Sequence, residues 1–86
     1  MKTHIQKLLK QRKFLIESNR SNLPNPDAVR RKIETFQQSL DCIVNDKSLA
    51  VWVEANMDDL VMICPLRQRP EFVVKCHEFV GKNKEI

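Results

Sequence analysis

The stretch NPDAVRRKIETFQQSLDCIV, residues 25–44, decides the fold of this chain. Its apolar side chains recur every three or four residues, which places them along one side of an α-helix. Pro26 suits the first helical position, Asp27 complements the positive helix end, and the Asn25 side chain is expected to cap the free amides. We therefore predict a helix from Pro26. The seam consists of Val29, Ile33, Phe36, Leu40 and Ile43, with Val44 alongside.

The segments on either side of this helix show the same helical spacing. We predict that the helix ends at Asn45 or Asp46, and that Ser48 caps a third segment which Pro65 stops. Within this third segment, Asn56 is followed by Met57 and two acids, a pattern that also resembles the start of a new helix. A break at Asn56 would give five helices instead of four, and the sequence leaves both counts open. The first segment, residues 3–19, has its apolar stripe at Ile5, Leu8, Leu9, Leu15 and Ile16, with Arg12 on the same stripe.

The last helix is predicted to open at Pro70 and to end at Gly81 in a left-handed cap. Its inner stripe would be Phe72, Val73, Cys76, Phe79 and Val80. Together the segments predict an all-α fold, a compact bundle of four to five helices. We expect one domain over residues 1–86, with a loop at 18–25 and a frayed tail at 83–86.

Composition narrows the function classes. The 86 residues are 42% apolar and 30% charged, which is typical of globular domains and not of disordered chains. The single glycine excludes glycine-rich phosphate loops. No stretch approaches the roughly 18 apolar residues of a membrane span, and three unpaired cysteines favour a reducing compartment. We expect a nuclear or cytoplasmic protein that contacts no membrane.

The sequence contains no recognisable catalytic or metal-binding motif. His4, His77 and the three cysteines form no pair at metal-ligand spacing, so we expect no metal and no cofactor. The acids Glu54, Asp58 and Asp59 lie where a helix start or a solvated face would place them. We therefore expect that the chain is not an enzyme.

Charge is distributed unevenly along the chain. Residues 1–32 contain nine Lys or Arg against two acids, a net charge of +7, whereas residues 33–86 contain six bases against nine acids, a net charge of −3. The basic half is a candidate surface for phosphates or for an acidic protein segment. An alternative explanation of this asymmetry is that the basic and the acidic faces are both solvated and attract each other within the fold.

Phe14 is the one aromatic residue that falls off the core stripes, so it is expected to be exposed or to fill a groove. Trp52 is either core or part of a partner-binding wall. The candidate partner-binding residues are Lys7, Lys10, Lys13, Phe14, Arg30, Arg31, Trp52, Arg67 and Arg69.

The segment MDDLVMICPLRQRPEFVVKCHEFV, residues 57–80, resembles helical domains of the family that includes the transcription elongation factor N-terminal domain and the integrase-binding domain. The resemblance covers residues 25–82 at most. It implies a nuclear scaffold that captures short acidic and aromatic motifs at one end of a bundle, beside loops 45–48 and 66–69. The positions that match are Leu60, Ile63, Leu66, Arg67, Val73 and Phe79.

The leading hypothesis is a non-catalytic adaptor that binds a short peptide segment of another protein, in a transcription complex if the resemblance holds. The alternative is a basic helical nucleic-acid-binding domain that uses residues 1–32. A homodimer is a third hypothesis, because the seam of residues 29–43 also suits a two-chain bundle.

Overall fold

The computed structural model describes residues 1–18 and 25–84. Within them the chain forms five α-helices, one short 3-10 turn and no strand, so the predicted all-α fold is confirmed. The helices are α1 (Lys2–Glu17), α2 (Pro26–Asp41), α3 (Asp46–Ala55), α4 (Met57–Ile63) and α5 (Arg69–Lys84), and the 3-10 turn η1 (Leu66–Gln68) lies between α4 and α5.

The chain divides into two compact units, residues 2–42 and residues 43 onward. The first unit, here called the hairpin unit, contains α1 and α2. The second contains α3, α4, η1 and α5, with α3 packed mainly against α5. The sequence-based expectation of one domain over residues 1–86 stays a prediction.

In the hairpin unit α1 and α2 run antiparallel. Lys13 Nζ of α1 lies 3.8 Å from Glu34 Oε1 of α2, and residues nearer the start of α1 lie beside residues nearer the end of α2. Arg12, which the spacing places on the apolar stripe of α1, is half-buried. The apolar stripes meet in a core formed by Ile5, Leu8, Leu9, Ile16, Val29, Ile33, Phe36 and Leu40.

The start of α2 is placed correctly by the sequence, but the predicted side-chain cap is wrong. Pro26 occupies the first turn and Asp27 supplies its acid. Asn25, however, is left-handed (φ 56°, ψ 61°) and its side chain makes no capping hydrogen bond. A capping side chain normally reaches the first-turn amides from extended backbone, so the left-handed conformation takes it away from them.

The predicted end of α2 at residue 45 or 46 is also wrong, since the helix stops at Asp41. Asn45 is extended (φ −137°, ψ 160°), and its Oδ1 accepts a hydrogen bond from the Ser48 amide at 2.8 Å. Asn45 is thus the cap of α3, and Ser48, predicted as that cap, is the residue whose amide it satisfies. Val44, predicted to lie alongside the seam, is 91% exposed.

In the second unit the break at Asn56 is real, which decides the count in favour of five helices. Its side-chain amide turns back and donates to the Trp52 carbonyl at 2.8 Å. It therefore closes α3, and it does not cap α4 with its side chain. The core of this unit consists of Leu49, Ala50, Val53, Leu60, Ile63, Cys64, Phe72 and Cys76.

The last helix runs through the glycine that was predicted to end it. Gly81 lies inside α5, which continues to Lys84, and it has no positive φ. A glycine ends a helix only where the chain adopts the left-handed conformation. Residues 83 and 84, predicted to belong to a frayed tail, are helical, and residues 85–86 of that predicted tail lie outside the described residues.

Candidate functional site

The clearest candidate site is an exposed face of α1. Lys7, Lys10 and Phe14 lie three and four residues apart, so their side chains project from the same side of the helix. Both lysines are exposed, and Phe14 is 61% exposed. We call these three residues the Phe14 surface. Of the two outcomes that the sequence leaves open for Phe14, the structure shows exposure.

The other aromatic rings are covered to a greater extent. Phe36 and Phe72 are buried, and Trp52 and Phe79 are half-buried. The Lys32 ammonium lies 5.6 Å from the centroid of the Phe36 ring, a cation–π arrangement. The prominence of Phe14 therefore does not reflect a general exposure of aromatic rings in the described residues.

The basic residues predicted for the site lie in different environments. Lys13 is partly covered and pairs with Glu34, while Arg31 is exposed. Arg30 is half-buried, and its Nε is covered by protein atoms. Residues 2–42 carry nine Lys or Arg and four Asp or Glu, a net charge of +5, so the charge excess of the whole chain resides in the hairpin unit.

The remaining predicted site residues belong to the second unit. Arg67 is exposed on η1, and Trp52 is half-buried on α3. Arg69 is engaged with its own chain, because its guanidinium donates to the carbonyls of Cys64 at 3.0 Å and Met62 at 2.9 Å. The nine residues predicted from the sequence are thus divided between two units.

A groove lies between α1 and α2, next to Lys10 of the Phe14 surface. Its lining residues are Gln6 and Lys10 from α1 and Gln37 and Asp41 from α2, and its volume is about 300 Å³. Sequence reasoning identified only Lys10. Each helix contributes two residues four positions apart, and this spacing can be read from the sequence. Which side of α1 faces which side of α2 depends on how the two helices pack.

A second groove of about 370 Å³ lies within the second unit and is lined by Glu54, Met57, His77 and Val80. The two buried thiols of this unit are Cys64 and Cys76. Burial, and to a smaller extent the neighbouring Cys64, raises the pKa of Cys76 to about 11, which keeps this thiol protonated and poorly nucleophilic at neutral pH.

Within residues 1–18 and 25–84, no helix combines the length and the apolar content that crossing a bilayer requires. The same residues form no cluster of three or more His, Cys, Asp or Glu arranged to hold a metal ion.

Comparison of the chain with protein-family models, curated proteins and solved structures gives no match. The resemblance to the elongation-factor and integrase-binding domains stays a prediction from the sequence.

Proposed function

We propose that this protein is a non-catalytic interaction module that binds an acidic peptide segment of a partner protein through the Phe14 surface. The observation that supports the proposal is an exposed aromatic ring beside two exposed lysines, on the unit with a net charge of +5. On the resemblance alone, we place the partner in a nuclear transcription complex.

Typical interaction free energies indicate how much Phe14 and the two lysines would each contribute to the binding affinity. Covering an aromatic side chain contributes about 1.5–3 kcal/mol, whereas an exposed ion pair contributes about 0.2–1 kcal/mol. Phe14 is therefore the anchor, and it requires a large apolar side chain on the partner. Lys7 and Lys10 favour acidic residues beside that side chain, and they speed the encounter more than they tighten the complex.

The experiment is a fluorescence-anisotropy titration of the purified chain into a labelled short peptide containing Asp, Phe and Gly-Ser filler. Phe14→Ser should weaken binding about tenfold or more, since the anchor is lost. Val51→Ser is the matched control, because Val51 is 62% exposed on α3, close to the 61% of Phe14. Lys10→Glu should weaken binding, while Lys47→Glu on α3 should not.

The same titration with single-stranded and duplex oligonucleotides tests the nucleic-acid alternative. Binding that falls steeply between two salt concentrations, together with no peptide binding, would replace our proposal with that alternative. Equal losses in Phe14→Ser and Val51→Ser would show that the Phe14 surface is not the binding site.

A further inference from the structure

The groove of the second unit has room for an aromatic ring. Its volume is about 370 Å³, and it is lined by Glu54, Met57, His77 and Val80. We call it the Met57 groove. A closed apolar cavity of about 150 Å³ accepts benzene, so a phenyl ring fits within the larger volume. Met57 and Val80 are the apolar residues of the lining, and a methionine thioether makes favourable contacts with aromatic rings.

The Met57 groove lies in acidic surroundings. Glu54 belongs to its lining, and none of the four lining residues is Lys or Arg. Asp58 and Glu78, each next in the chain to a lining residue, are both exposed. Residues 43–86 carry six Lys or Arg and seven Asp or Glu, a net charge of −1. The groove therefore combines apolar side chains with neighbouring carboxylates, the chemistry that the Phe14 surface requires of its partner.

The Phe14 surface carries the opposite charge and is left uncovered by its own chain. Lys7 and Lys10 are exposed beside the ring, and the hairpin unit that contains them has a net charge of +5. The ring remains 61% exposed in a single copy. Opposite charges on two surfaces speed their encounter and favour one orientation. The Phe14 surface of one copy and the Met57 groove of another are therefore complementary in apolar character and in charge.

We infer that a second copy of this chain is a ligand of the Phe14 surface. The Phe14 ring of one copy binds in the Met57 groove of another, with the two lysines of that surface beside the acids of the groove. The inference rests on the anchor role that the proposed function gives to Phe14, and it adds a second binding surface and a means of regulation. A copy whose ring is bound in this way cannot bind an acidic peptide through the same ring.

The contact joins two different surfaces, so it is head-to-tail. Such a contact either closes into a ring of copies or continues as an open chain. One aromatic ring in one groove buries far less than the roughly 1,200 Å² of a stable interface, so we expect a weak association, with a Kd on the order of 0.1–1 mM. The seam of α2 takes no part in it, because its apolar residues from Val29 to Leu40 are buried within one copy.

Sedimentation velocity of the intact chain tests the association. The weight-average mass should rise between about 20 μM and about 1 mM, the range of weak complexes. Phe14→Ser removes the ring, and Glu54→Lys reverses the charge of an exposed lining residue, so each should weaken the association about fivefold or more. Glu54→Gln, which keeps the size of the side chain, should give a smaller loss.

Two matched variants serve as controls. Val51→Ser removes another exposed apolar side chain, and Glu71→Lys makes the same charge reversal at an exposed glutamate outside the groove lining. Both should leave the association within about twofold of the wild type. Circular dichroism melting checks that every variant folds.

Mixing the two disruptive variants tests the contact between ring and groove directly. Phe14→Ser keeps the groove but lacks the ring, whereas Glu54→Lys keeps the ring but has an altered groove. Their equimolar mixture should associate about fivefold or more tightly than either variant alone. The mixture should stop at two copies, because each variant retains one working surface. A contact between two identical surfaces would not be restored by mixing.

A wild-type chain that stays monomeric up to about 1 mM would overturn the inference. So would a mixture that associates no more tightly than its components, or an acidic peptide that binds at Phe14 without dissociating the copies. If the chain associates as expected but binds no peptide in the anisotropy titration, the proposed function fails while the inference stands. If the peptide binds and the chain stays monomeric, the inference alone fails.

Discussion

Arg69 ties the start of α5 to the end of α4, because its Nε donates a hydrogen bond to the Cys64 carbonyl at 3.0 Å. Its Nη2 donates to the Met62 carbonyl at 2.9 Å. The carbonyls of a last helical turn have no partners inside the helix, so this side chain satisfies groups that would otherwise need water. Arg69, which the sequence proposes as a partner-binding residue, thus has an internal structural role.

We expect Arg69→Met to lower the free energy of unfolding by about 1–2 kcal/mol, since two hydrogen bonds from a charged donor are lost. Urea denaturation followed by circular dichroism measures the change. Arg67→Met, at an exposed position two residues earlier, is the control and should change stability by less than about 0.5 kcal/mol. Equal effects at the two positions would contradict the capping role.

The cap of α3 gives a second stability prediction. Asn45 Oδ1 accepts from the Ser48 amide at 2.8 Å, so Asn45→Ala should cost about 1 kcal/mol. Ser48→Ala leaves that main-chain donor in place and should cost less. Thermal and urea unfolding measure the free energy of unfolding of the two variants. A larger decrease for Ser48→Ala than for Asn45→Ala would indicate that Ser48 is the cap, as the sequence predicts.

The three cysteines should differ sharply in reactivity. Cys42 is exposed at the end of α2, whereas Cys64 and Cys76 are buried. With an aromatic disulfide reagent under native conditions, we expect one fast-reacting thiol and two slow ones, because a buried thiol reacts only when the structure opens. Cys42→Ser should remove the fast phase. A fast phase that persists in this variant would show that Cys64 or Cys76 is accessible to the reagent, against the burial of both thiols.

Stability should fall with pH in the alkaline range because of Cys76. Its pKa rises from 9.0 to about 11 on folding, first because of burial and then because of Cys64. Below pH 9 the thiol is protonated in both states, but between pH 9 and about 11 the unfolded chain loses the proton that the folded chain keeps. The folded state therefore loses stability as pH rises through this window.

Urea unfolding at a series of pH values measures this slope. Cys76→Ala should flatten it, although the cavity lowers its stability at every pH. Cys42→Ala, at an exposed thiol, is the control and should leave the slope unchanged. A slope that is the same in all three proteins would assign the alkaline loss to other groups.

Helix content was predictable because it depends on local features. The seam from Val29 to Leu40, the proline at residue 26 and the acid that follows it define α2 within the chain segment itself. Helix ends were less predictable, because neighbouring signals compete. Asn45 could extend α2 or cap α3, and the capping bond to the Ser48 amide decides for α3. Gly81 could end α5, but its backbone remains helical.

The sequence by itself determined that the chain is helical, that positive charge gathers near its start, and that Phe14 falls off the core stripe. Only the tertiary structure decided that Lys13 faces Glu34 and that Gln6 and Gln37 line one groove. The physical reason is that residue spacing fixes where a side chain lies around its own helix axis. Helix–helix packing decides which face of that helix contacts another helix, and in which register. Residue spacing alone does not encode this packing.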